Sequence, residues 1–281
     1  MPATTLRPVE GGQSGSPKAK HRQISERILS AIEAGRWLPG DQLPAEDQLA
    51  AETGASLGTV QRALRSLVAM GVVERHHGKG TFVSGARAQE QQLLHFRFMA
   101  EGGTQLLPVY FRITGVETTR ESGPWSQFLD SPDGEYIHIH RIVSVNDEFE
   151  VFSEIYLPAD RFSELARMSE TTLNGVSFRD MLAARFNAPT LRTRQTIACQ
   201  TLPPRVTRPL AVPPGQAGLV WTVCGMSYRD APITWQRIFV PPSDRVLDLA
   251  ATAADIVGFT GFGWDAEAGG PALSHMSAEG L

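Results

Sequence analysis

Apolar side chains at Val60, Ala63, Leu64, Leu67 and Val68 follow the i, i+3, i+4, i+7, i+8 spacing of one helix face. Ser56 suits the N-cap of that helix and Gly71 closes it. A shorter helix precedes it, opened by Pro44, given an apolar side by Leu49 and Ala50, and ended by Gly54. Further upstream, Ile24, Ile28, Leu29 and Ile32 stripe a helix over 19–34, stopped by Gly35. After the third helix come Val72 and Val73, a glycine-rich turn at 76–80, then Phe82 and Val83, which read as a β-hairpin. Three helices sharing one core, with a hairpin after them, account for residues 18–84.

From residue 93 the hydrophobic period drops towards two. Strands are predicted over 108–117, 136–145, 149–157, 191–202, 219–228 and 233–240, with helices over 158–168, 177–186 and 203–210. Turn residues at 146–148 and 229–231 join consecutive strands into hairpins. Residues 93–252 therefore read as a second, α+β domain with a mostly antiparallel sheet. The polar stretch 85–92 is the expected linker, and 1–17 and 253–281 are expected to be disordered tails.

Charge sharpens this division. Residues 18–85 hold 9 Lys and Arg against 7 Asp and Glu, a net of +2, whereas 86–281 hold 16 against 22, a net of −6. The cation excess sits on the helical domain, where a polyanion would need it. No run approaches the ~20 apolar residues of a membrane span, and there is no secretion signal, so the expected location is the cytoplasm. Cys199 and Cys224 are then expected to be reduced thiols, buried or partly buried.

The third helix buries one side and leaves donors on the other. Ser56, Thr59, Gln61, Arg62 and Arg65 lie at its start or on its polar side, and His77, Gly78 and Lys79 form the hairpin tip. A helix of this kind fits a DNA major groove, with a hairpin wing reaching phosphates or the minor groove. The motifs LPAE, S-x-x-TV-x-x-AL-x-x-L and G-x-V-E-R-x-x-G-x-G-T-F-V over 43–83 resemble the winged helix-turn-helix of the GntR family of bacterial transcription regulators. In that family the positions of Leu57 and Gly58 often carry arginine and another side chain. Their absence shifts the expected base reading to Gln61 or Arg62. Relatives with an aminotransferase-like domain need a Schiff-base lysine, but no lysine follows Lys79.

The second domain is similar to the UTRA effector-binding domain of the HutC branch, which has a chorismate-lyase-like fold. The resemblance rests on His95-Phe96, Arg141 before a short turn, residues 153–158 (SEIYLP) and the closing strand 232–244. It implies a homodimer on a palindromic operator in double-stranded DNA, and a small-molecule effector, with repression the expected sign. The family pattern has two arginines one residue apart. Here Val143 replaces the second, which disfavours a phosphate sugar and leaves one cation for a carboxylate. Arg141, Glu154, Tyr156, Arg112, Tyr228 and Gln236 are the candidate effector residues, with an Arg141–Glu154 ion pair across the hairpin as the alternative. Binding is expected to act on DNA by repositioning the linker.

His138 and His140, two apart on a strand, share a face and could ligate a metal, but spacing reveals no third ligand. A metal-responsive regulator is thus an alternative, and no metal site or cofactor is assigned. Ser153 and Cys199 lack the signature of an activated nucleophile, and a lyase-like fold does not confer lyase chemistry. The expectation is a regulator and not an enzyme.

Overall fold

The computed structural model describes residues 17–84, 95–103, 105–131 and 133–249. The expected linker and tails lie outside these residues, except Pro17, which opens the first helix. Helix α1 (Pro17–Glu33), α2 (Glu46–Thr53) and α3 (Leu57–Ala69) pack around Ile24, Ile28, Leu49, Leu64 and Leu67, all buried. Val68 departs from the predicted stripe and is exposed. Pro44 lies just outside α2, whose first turn carries Glu46 and Asp47, favourable charges at a helix N-terminus. Ser25 Oγ donates to the Ala63 carbonyl at 3.1 Å and ties α1 to α3. Strands β1 (Val73–His76) and β2 (Gly80–Val83) form the antiparallel wing.

The second domain holds a six-stranded, fully antiparallel sheet. Its strands are β3 (Val109–Thr119), β4 (Tyr136–Val145), β5 (Phe149–Pro158), β6 (Arg192–Thr201), β7 (Ala217–Met226) and β8 (Pro232–Val240). They lie in the order β3-β4-β5-β8-β7-β6. Helices α4 (Pro124–Leu129), α5 (Ala159–Phe162), α6 (Glu170–Leu173), α7 (Phe178–Phe186) and α8 (Pro204–Thr207) flank it. The helix expected over 158–168 is α5 followed by a 3-10 turn, Ser163–Arg167.

Strand alternation gives the sheet two distinct faces. On one, Ile139, Ile155 and Leu157 pack under α6 and α7, while Val143, Val223 and Ile238 pack under Phe96 and Phe98. On the other, Tyr156 and Trp235 pack with Trp125 and Phe128 of α4, and Phe152 and Phe239 pack with Val206 of α8. Each face therefore has two apolar clusters, and polar side chains interrupt both between them.

The two domains touch directly. Leu191 and Tyr228 join the core of the helical domain. Asn187, the left-handed C-cap of α7 (φ +46°), donates through Nδ2 to the Ile32 and Glu33 carbonyls at 2.8 and 3.1 Å. Arg229, on the β7–β8 turn, pairs with Glu26 and with Glu33 (2.7 Å). Of the two cysteines, Cys224 is buried as expected, but Cys199 is exposed, because β6 is the sheet edge.

Candidate functional site

The outer side of α3 and the wing tip form one polar surface. Arg62 and Arg65 are exposed, and Ser56 Oγ and Thr59 Oγ1 share a 2.8 Å hydrogen bond at the helix start. Gln61 is engaged within the protein: its Nε2 donates to Glu46 Oε2 at 2.8 Å. Arg75 of the wing pairs with the other oxygen of Glu46, so this carboxylate clasps α2, α3 and β1 together. His77, Gly78 and Lys79 are exposed at the wing tip. Gln42 Nε2 donates to the Lys79 carbonyl at 2.8 Å and fixes the turn. A Cβ on Gly80 (φ +115°) would lie 2.6 Å from that nitrogen, so only glycine fits without displacing the Gln42 side chain. The sequence pattern assigns no role to Gln42 and gives Glu46 only a place in the LPAE motif, since both act through tertiary contacts.

A cavity of about 410 Å³ opens between the first sheet face and the turn into α7. Arg141 and Gln236 line it, with Phe96, Phe111, Phe178 and Ser177 among its walls. Arg141 is only 6% exposed. Its guanidinium lies 5.3, 4.9 and 5.9 Å from the ring centres of Phe96, Phe111 and Phe178. Arg141 Nε and Gln236 Nε2 both donate to Ser153 Oγ, at 3.3 and 3.0 Å. Among the described residues no carboxylate pairs with Arg141, and burial alone pushes its pKa down to about 9. It stays charged at neutral pH. A buried guanidinium of this kind is costly unless an anion completes it, and the aromatic collar offsets only part of that cost.

Of the six candidate effector residues, Arg141 and Gln236 meet in this cavity and four do not. Register pairs Arg141 with Ser153, so Glu154 and Tyr156 turn to the opposite face. There Glu154, buried, accepts from Arg205 Nε at 2.7 Å, which excludes the anticipated Arg141–Glu154 pair. Tyr156 stacks between Trp125 (3.8 Å) and His138 (3.9 Å). Arg112 is exposed beside Glu150, and Tyr228 is buried at the domain contact, its hydroxyl 3.5 Å from Asn187 Oδ1. The aromatic collar was not anticipated, because its members come from three separate segments.

A winged helix-turn-helix joined to a β domain with a ligand-sized cavity defines the class of ligand-responsive DNA-binding regulators. The comparisons narrow this. Residues 20–83 match the bacterial regulatory proteins of the gntR family, and residues 109–245 match the UTRA domain. The chain belongs to the gntR family and carries a UTRA domain. It is 27% identical over 176 residues to a probable fructoselysine utilization operon transcriptional repressor of Escherichia coli (strain K12), covering 62% of this chain and 70% of that one. It is 36% identical over 136 residues to the histidine utilization repressor of Klebsiella aerogenes, covering 48% and 56%. The crystal structure of PhnF from Mycobacterium smegmatis aligns with a TM-score of 0.46 at 18% identity, over 83% of this chain and 99% of that one. Among the described residues no helix is long and apolar enough to cross a membrane.

Proposed function

We propose that the protein is a non-enzymatic, homodimeric transcriptional repressor of a utilization operon, released from its operator by a small carboxylate-bearing effector. The observation that carries the effector class is Arg141, buried in an aromatic-walled cavity with no paired carboxylate among the described residues. A carboxylate completes that charge with charge-assisted hydrogen bonds, and the collar accommodates an unsaturated or aromatic body beside it. The names of the relatives support the sign of regulation.

Ser56 at the N-cap of α3 and Thr59, Arg62 and Arg65 on it face the major groove, and His77, Gly78 and Lys79 approach the minor groove. Arg62 takes the base-reading role and Gln61 positions α3 through Glu46. The exposed edge strand β6, with Ile197 41% exposed, supports pairing with a second copy, which would set two reading helices on a palindrome. Helix α7 supplies the route between sites. Its first turn walls the cavity and its C-cap, Asn187, grips α1. An effector that favours one seating of α7 biases the reading heads, directly and not only through the linker.

The test is binding of the purified protein to a fluorescent fragment of its own upstream DNA at two salt concentrations, against scrambled competitor. Tight, salt-sensitive, competitor-resistant binding that carboxylate metabolites reverse is expected. Release by neutral sugars but by no carboxylate would overturn the effector class.

A further inference from the structure

The polar break on the second sheet face carries a different chemistry from the cavity. His138 and His140 lie two apart on β4, and β3 pairs Glu117 directly with His138. A β-bulge between Ile113 and Gly115 makes this happen. Before the bulge the odd-numbered residues Phe111 and Ile113 face the effector side. The extra residue reverses the alternation, so Val116 packs in the same apolar cluster as Ile113 and Glu117 turns to the histidine face.

Three donor atoms converge there. His138 Nδ1 lies 3.1 Å from Glu117 Oε1 and 3.0 Å from His140 Nε2, and His140 Nε2 lies 3.4 Å from Glu117 Oε1. Protons satisfy this triangle only poorly, through one proton of His138 Nδ1 shared between Glu117 Oε1 and an unprotonated His140 Nε2. If Nδ1 of His138 holds a proton, it can donate to Glu117 but cannot accept from His140. If it holds none, the proton moves to His138 Nε2, which is buried without a partner among the described residues. A single cation satisfies all three at once. Ligand bonds of about 2.0–2.1 Å at a tetrahedral centre set donor atoms about 3.3 Å apart, and octahedral cis ligands come slightly closer. The observed edges match that range before any ion is present.

The ring of His138 is preorganised. It stacks on Tyr156 at 3.9 Å and 14°, and Tyr156 stacks on Trp125 at 3.8 Å and 9°. Glu117 is exposed, so the side of the triangle away from the sheet opens to solvent and leaves further positions for water or an exogenous ligand.

We infer that Glu117, His138 and His140 form a binding site for a first-row divalent transition metal of the zinc class. Two imidazoles and one carboxylate select such an ion over calcium or magnesium, which favour all-oxygen shells. The site is separate from the effector cavity: His140 and Arg141 are consecutive on β4 and project to opposite faces.

The experiment uses tag-free, full-length protein stripped of metal. Titration with Co²⁺ reads the site through visible ligand-field bands, and competition against a chromogenic chelator gives the Zn²⁺ affinity. One equivalent per chain is expected. Glu117→Ala and His140→Ala, both outside the buried core, are expected to weaken Zn²⁺ by at least about tenfold. Arg141→Met is expected to bind Zn²⁺ as the unaltered chain does. Glu117→Gln, nearly isosteric, separates loss of the ligand from loss of the fold, and apo melting temperatures confirm folding. Absence of Co²⁺ bands, or Zn²⁺ affinity unchanged in both alanine variants, would overturn the site.

Discussion

Ser153 and Glu154 are neighbours on β5, yet each serves a different electrostatic arrangement. On the Ser153 side, Arg141 is buried and, among the described residues, a neutral hydroxyl is its hydrogen-bond acceptor. On the Glu154 side, Arg205 closes a pair with a carboxylate that is itself 3% exposed, and this pair raises the pKa of Arg205. Among the described residues one charge is balanced inside the chain and the other is not; under the proposed function the effector supplies its partner. The contrast separates a charge kept for structure from one kept for recognition: a structural ion pair carries its counter-charge with it, whereas a recognition site withholds it.

The largest expected effect tests that asymmetry. Arg141→Met should cost the effector at least about a hundredfold in affinity, the scale of losing a buried charge-assisted contact of roughly 3–5 kcal/mol. Isothermal titration with the effector found by DNA release measures it. The same substitution should leave apo stability unchanged or higher, since it removes a buried cation without stranding a carboxylate. A variant that binds effector normally would remove Arg141 from the recognition role.

Arg205→Ala should behave in the opposite way. It strands the buried Glu154, so unfolding free energy should fall by about 1–3 kcal/mol in urea, while effector affinity stays nearly unchanged. Arg205 is itself half exposed, so water reaches part of the gap and keeps the loss below that of a fully enclosed pair. If Arg141→Met were the more destabilising of the two in apo protein, the division between the faces would collapse.

Much of this architecture is legible along the chain, for local reasons. The α3 stripe, the glycines at 54 and 71 and the two strand hairpins are encoded by spacing and turn chemistry within a few residues. All six strands lie close to their expected bounds. Helices α4 and α6 escaped because six and four residues are too few to establish a period. The site was half legible. Arg141 and Gln236 stand out as polar residues in strands, but whether Arg141 meets Ser153 or Glu154 depends on a one-residue register that composition does not carry. The third member of the histidine cluster was hidden for the same reason. Glu117 joins it only through a bulge, and no residue in 113–115 announces one apart from Gly115.

The smallest effect concerns how the cavity reports to the reading helix. Arg229 stands in a third situation: exposed, but holding Glu26 and Glu33 of α1 across the domain contact, so that its pKa is raised by both. Exposed pairs contribute little to stability, so Arg229→Ala should leave melting nearly unchanged. It should also leave effector affinity intact, because Arg229 does not line the cavity. What it should change is the ratio of DNA affinities without and with effector. With Asn187, Leu191 and Tyr228 remaining as contacts between the domains, that ratio should fall by up to about fivefold, as expected for losing one part of a coupling typically worth 1–3 kcal/mol. Fluorescence anisotropy on operator DNA, at zero and saturating effector, reads both affinities in one series. A ratio identical to that of the unaltered chain would show that the cavity reaches the reading helices without the β7–β8 turn, and would return the linker to the centre of the mechanism.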